Sequence, residues 1–82
     1  MLDMQLGQVV FSKAGHDKGR AFVIISADNG FAMISDGETR LIEKPKKKKL
    51  KHLQPVNNVI DISGLHDFEL KGFLKIYNNI RK

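Results

Sequence analysis

Apolar residues in this chain arrive in short clusters as far as residue 54 and in helical steps after residue 66. Gly7-Gln8-Val9-Val10-Phe11-Ser12-Lys13 crowds β-branched and aromatic residues behind a glycine, a strand signature. Arg20-Ala21-Phe22-Val23-Ile24-Ile25-Ser26 is continuously apolar rather than alternating, which predicts a strand covered on both faces, as when a small sheet curls over on itself. Phe31-Ala32-Met33-Ile34-Ser35 predicts a third strand and Arg40-Leu41-Ile42 a short fourth. Leu50-Lys51-His52-Leu53-Gln54 returns as the last. Pro55 should end it, because proline cannot donate a ladder hydrogen bond.

Turn chemistry separates these clusters. Ala14-Gly15-His16-Asp17-Lys18-Gly19 is polar with two glycines, Ala27-Asp28-Asn29-Gly30 reads as a hairpin turn, and Asp36-Gly37 makes another reversal. Short strands at short intervals predict a mainly β fold, a small antiparallel barrel of five strands. From His66 the period changes: Leu70, Phe73, Leu74 and Tyr77 recur at three- and four-residue steps, the mark of one carboxy-terminal α-helix. Asp67 and Glu69 in its first turn and Arg81 and Lys82 at its end suit the helix dipole. Gly72, costly inside a helix, suggests a close approach to the sheet. The chain is therefore expected to be one domain over 1–82, with a barrel over 7–55, a linking segment over 56–65 whose Val59, Ile60 and Ile62 pack across it, and a helix over 66–81. Phe11, Phe22, Phe31, Phe68, Phe73 and Tyr77 are assigned to the core.

Charge changes the picture. Between residues 40 and 51, Arg40, Lys44, Lys46, Lys47, Lys48, Lys49 and Lys51 stand against the single Glu43, a local excess of six positives, while the whole chain carries +5. Everything outside that segment sums to −1, so the polyanion-attracting footprint is concentrated in what reads as a loop of lysines beyond Pro45. RNA is the polyanion this favours, with a solvated loop kept for solubility, or a nuclear-import signal, as the bland alternative. With no cysteine there is neither a disulfide framework nor a Cys-based zinc site, and His16, His52 and His66 have no short ligand spacing, so no metal or other cofactor is expected. Neither a secretion-type leader nor a membrane-length apolar run is present, and Leu2 does not suit myristoylation; the expectation is a soluble cytoplasmic protein with no membrane partner.

Catalysis is not expected. Gly15 and Gly19 are too closely spaced for a phosphate-binding P-loop and precede a strand rather than a helix. Asp17, Asp28 and Asp36 each fall in a turn, where aspartate is common for its bonds to nearby amides. No Ser/His/Asp or paired-carboxylate spacing stands out.

The stretch over residues 7–35, with its turn Lys13-Ala14-Gly15-His16-Asp17-Lys18-Gly19-Arg20 between two apolar strands, resembles a KOW motif, in which a glycine after a polar turn is the characteristic residue; Gly19 matches it. Ile34-Ser35-Asp36-Gly37 and the run from Lys44 to Leu53 extend the likeness to the KOW-containing large-subunit ribosomal proteins of archaeal and eukaryotic type, over residues 7–55. The resemblance implies an SH3-like barrel that binds RNA, ribosomal RNA in the large subunit, without catalysing anything. It places Lys13, Lys18, Gly19 and Arg20 in an RNA-facing turn and Lys46, Lys47, Lys48, Lys49, Lys51 and His52 in a basic loop beside it. His16 stands where many relatives are more basic, and a long basic extension is absent.

On physical grounds the lysines supply salt-sensitive affinity for phosphate. Arg20 and Arg40 offer bidentate contacts, or surface ion pairs instead, and His16 or His52 can stack on an unpaired base. The alternative function is a protein-binding module of a transcription or translation complex, with the carboxy-terminal helix as part of its contact surface.

Overall fold

The computed structural model describes residues 4–80; Arg81 and Lys82, expected to close the helix, and Leu2 lie outside the described residues. Five strands, β1 Gln8–Ser12, β2 Ala21–Asp28, β3 Phe31–Ser35, β4 Lys46–Lys49 and β5 Leu53–Val59, form one antiparallel sheet in the order β4-β3-β2-β1-β5. A 3-10 turn, Leu50–His52, joins β4 to β5, and the helix α1, Asp67–Ile80, follows. Register shifts at Ile24/Ser26 and Gln8/Val10 bend β2 and β1, which helps the sheet to curl. The expected mainly β, barrel-like architecture with one carboxy-terminal helix is what the chain adopts.

The unbroken apolar runs of β1 and β2 are explained by two cores. Val10, Phe22, Ile24, Ala32, Ile34 and Leu53 fill the inside of the curled sheet. Val9, Ala21 and Val23, one residue out of phase, face the other way and meet Leu70 and Leu74 of α1. Since successive strand residues point to opposite faces, only a continuous apolar sequence can serve both. Leu70 and Leu74, a helical turn apart and both fully buried, contribute about 1.5–3 kcal/mol each by leaving water. Tyr77 packs edge-on against Phe11, with ring centroids 6.2 Å apart. The helix is tied to β2 by the Ala21 amide, which donates to Asn78 Oδ1 at 2.9 Å. Its first turn is capped by Glu69, whose carboxylate accepts the His66 amide at 3.0 Å.

Several expectations are corrected. Residues 40–42 are not a strand, because Asp36 draws the chain into a closed loop. Asp36 Oδ1 accepts the Glu38 and Arg40 amides, each at 2.9 Å, its Oδ2 accepts the Thr39 hydroxyl at 2.7 Å, and Ser35 Oγ donates to the Arg40 carbonyl at 2.6 Å. Pairing with β3 resumes only after Pro45, so the lysines are the fourth strand rather than a loop, running opposite Phe31, Ala32, Met33 and Ile34. Pro55 does not end β5 but lies within it. That strand has a neighbour on one side only, β1, and a proline is tolerated where its missing N–H faces the open side.

The same strand runs on to Val59, which is exposed, whereas Ile60 and Ile62 pack against the helix-side core as expected. Phe68 is 74% exposed rather than core, and Gly72 faces open space with nothing near the place of a Cβ. A close approach to the helix is made instead by Gly37, at φ 75°, where a Cβ would collide with the Asp67 carbonyl.

These two glycines should respond oppositely to alanine. Gly72→Ala should stabilise the protein by about 0.5–1 kcal/mol through helix propensity and a less disordered unfolded chain. Gly37→Ala should cost on the order of 3 kcal/mol from its backbone conformation and the collision together. Urea unfolding of both variants checks the docking of the Asp36 loop on α1; equal effects would refute it.

Candidate nucleic-acid interface

The turn between β1 and β2 is closed by its own backbone. Gly19 donates to the Ser12 carbonyl at 2.8 Å, Arg20 to the Asp17 carbonyl at 2.9 Å and Ser12 to the Arg20 carbonyl at 3.0 Å. Gly19 has φ 87°, the left-handed conformation expected of the turn's last glycine. Lys13 donates its amide to the His52 carbonyl at 2.8 Å, which sets the turn beside the β4–β5 junction.

The lysine strand lies against this turn, and a single carboxylate fastens it. Lys48 is buried: its ammonium donates to Asp17 Oδ1 and to the Ala14 carbonyl, both at 2.8 Å. Lys46 reaches Asp17 Oδ2 at 3.0 Å, and Ser12 Oγ, 2.7 Å from Asp17 Oδ1, completes the cluster. Burial by itself pushes the Asp17 carboxyl up, but hydrogen bonds from Lys48, Ser12 and Lys46 outweigh it and hold the group well below the usual carboxylate range. Strand alternation then splits the run in two. Lys46 and Lys48 point toward Asp17 and are largely neutralised, while Lys47 and Lys49 are exposed on the opposite side.

A second carboxylate binds Arg20. Its Nε donates to Asp36 Oδ2 at 2.6 Å and its Nη2 to Glu38 Oε1 at 2.8 Å, so this guanidinium is held within the protein at a fixed place beside the turn. Burial pushes Asp36 up, yet the Arg40 and Glu38 amides, the Thr39 hydroxyl and Arg20 together lower it. Of the two readings of Arg20, the ion pair is the one present. Arg40 is exposed and makes no ion pair among the described residues.

Lys13, His16, Lys18, Lys44 and Lys51 are exposed, and His52 is half-buried. The fold thus brings residues 13–20 and 46–52 together, and Arg40, on the loop that carries the chain from Asp36 to β4, lines an open depression with His16, Asp17, Arg20 and Lys46, while Lys44 lies further along that loop. Lys71 and Lys75 of α1, overlooked in the sequence, share an open groove of about 490 Å³ with Lys18, Arg20 and Glu38. Their i, i+4 spacing on the polar side of the helix was the available signal. Among the described residues no group of histidines and carboxylates is placed to hold a metal ion, and no helix is long and apolar enough to cross a membrane.

No protein-family model matches this chain. Among curated proteins, the large ribosomal subunit protein eL14 of Staphylothermus marinus is 32% identical to it over 69 residues, an alignment covering 82% of this chain and 72% of that protein.

Asp17 should govern acid stability. A carboxyl whose folded pKa is lowered contributes stability that is whole above its unfolded value of about 3.9 and is lost as the pH falls through the folded value. Asp17→Asn, which leaves the buried Lys48 ammonium without its counter-charge, should cost about 2–3 kcal/mol at neutral pH. Denaturant titrations at successive pH values should show the gap between parent and variant closing below about pH 4. A gap unchanged in acid would remove the ion pairs from the account.

Proposed function

Because this chain belongs to the family of the large ribosomal subunit protein eL14, we propose that it is a cytoplasmic large-subunit ribosomal protein, a single non-catalytic domain that works in translation by binding ribosomal RNA. The family relationship carries the ribosomal part of this reading. The RNA part is supported by the distribution of charge: Lys13, Lys18, Lys47, Lys49 and Lys51, on the turn and the β4–β5 segment beside it, are all exposed. Phosphates neutralised by such groups release condensed counterions, so affinity falls steeply with salt and depends little on base sequence.

The lysine run serves two purposes in this reading. Lys46 and Lys48 hold the barrel together through Asp17. Lys47 and Lys49, with Lys44 and Lys51 on either side, meet the RNA. Arg20, His16, Arg40 and His52 lie at the margins of that surface, and Gly19 shapes the turn that presents it. A protein contact through α1 is a second reading, favoured by Phe68 and Ile76, which are 74% and 60% exposed along the outer side of the helix.

Replacing Lys44, Lys47, Lys49 and Lys51 with glutamine should leave the urea midpoint nearly unchanged and flatten the logarithmic salt dependence of RNA binding by up to about 3–4 units on duplex-like RNA. Replacing Lys46 and Lys48 instead should lower stability by about 2–4 kcal/mol, since both belong to the Asp17 cluster. In cells, the parent should sediment with large subunits at low salt and leave them at high salt, and the four-glutamine variant should stay near the top of the gradient. If parent and variant sediment alike, or if partners captured by the parent all survive nuclease, the protein-contact reading takes precedence.

A further inference from the structure

The outward face of the β2–β3–β4 corner carries an aromatic side chain that the core does not absorb. Along β3, Ala32 and Ile34 are buried inside the curl, so Phe31 and Met33, half-buried, face the other way. Antiparallel register sets Lys49 opposite Phe31 and Lys47 opposite Met33 on one side, and Asp28 opposite Phe31 on the other. Directly opposed residues share a face of a sheet, so the ring lies between two exposed lysines and one exposed carboxylate. The Lys47 ammonium is 4.5 Å from the centroid of the Phe31 ring, against its electron-rich face. Phe31 also walls two adjoining open depressions of about 460 and 490 Å³, the second reaching His52.

We infer that this corner is a stacking site for one unpaired base of the bound RNA, with Phe31 as the platform. The inference rests on the RNA-binding reading above and adds the kind of nucleotide recognised. A flat ring bordered by cations is the combination that single-stranded and bulged nucleotides engage, the ring taking the base and the ammonium groups the phosphates on either side of it. Lys47 covers the ring in the free protein and exchanges that contact for a phosphate when a base arrives. Asp28 repels phosphate, so the RNA backbone runs along the β4 side. The edge of the base is then turned toward an acceptor suited to the amino groups of adenine, cytosine or guanine.

The test uses the full chain and two RNA hairpins of one sequence, fully paired or carrying a single bulged 2-aminopurine, whose fluorescence is quenched on stacking. The parent should bind the bulged hairpin about tenfold more tightly and quench it. Phe31→Leu, which keeps an apolar side chain at a half-exposed position, should retain its urea midpoint and lose both the preference and the quench. Phe31→Tyr should keep both, and Lys47→Gln should keep the quench with a shallower salt dependence. Equal binding of the two hairpins by the parent, or a preference that survives in Phe31→Leu, would overturn the stacking site while leaving phosphate binding intact. Binding of neither hairpin at low salt would overturn the RNA reading itself, and the stacking site with it.

Discussion

One carboxylate makes a strand of consecutive lysines possible. Lysine is not favoured in sheets, and four in a row bring like charges to adjacent positions. Asp17 resolves the conflict by taking the ammonium groups of the two inward lysines, Lys46 and Lys48, while Ser12 holds the carboxylate from β1. The turn after β1, the buried end of β4 and the closing of the curl over the inner core all meet at this group. The Ala14 carbonyl accepts a further hydrogen bond from Lys48, leaving no buried side-chain polar atom unpartnered among the described residues. Such a cluster is costly to break from one side only, because the remaining charge stays where water reaches it poorly.

Much of the architecture was legible because local and long-range demands agreed. Asn29 and Gly30 both adopt left-handed conformations at the hairpin, Gly19 does so at the end of the polar turn, and Leu70 and Leu74 fall on the buried side of α1. What could not be read were features set by contacts distant in sequence. A run of identical lysines contains no alternation, so nothing in it reveals that every second one points inward to a carboxylate about thirty residues away. The loop after β3 looked like a simple Asp-Gly reversal because the number of donors that Asp36 gathers depends on how the chain folds back. Phe68 was readable: two positions from Leu70, it lies on the far side of the helix. Phe31 was not, since β3 is apolar on both faces and periodicity alone does not say which face is the interior.

Polar clustering also sorts the basic residues. Three are committed to internal partners, Arg20 to Asp36 and Glu38, Lys46 and Lys48 to Asp17, while Lys13 and Lys18 of the turn itself and Lys47, Lys49 and Lys51 are left to solvent. Summed charge over the segment therefore overstates what is offered to a polyanion. The pinned groups give the surface its shape, and a rigid surface loses less conformational freedom when a ligand arrives.

The position of β4 and β5 at the two ends of the sheet has a consequence for the protein before it meets any partner. An unpaired strand edge is a template on which a second chain can add, the first step toward aggregation. Here one edge is a strand of four lysines, and the two that do not pair with Asp17, Lys47 and Lys49, would be set against their own counterparts by a second copy approaching it. The other edge is interrupted by Pro55, which removes a donor from the row that an added strand would need. The residues proposed to meet an anionic ligand thus have a second effect, for together with Pro55 they make both ends of the sheet poor templates for another copy of the chain.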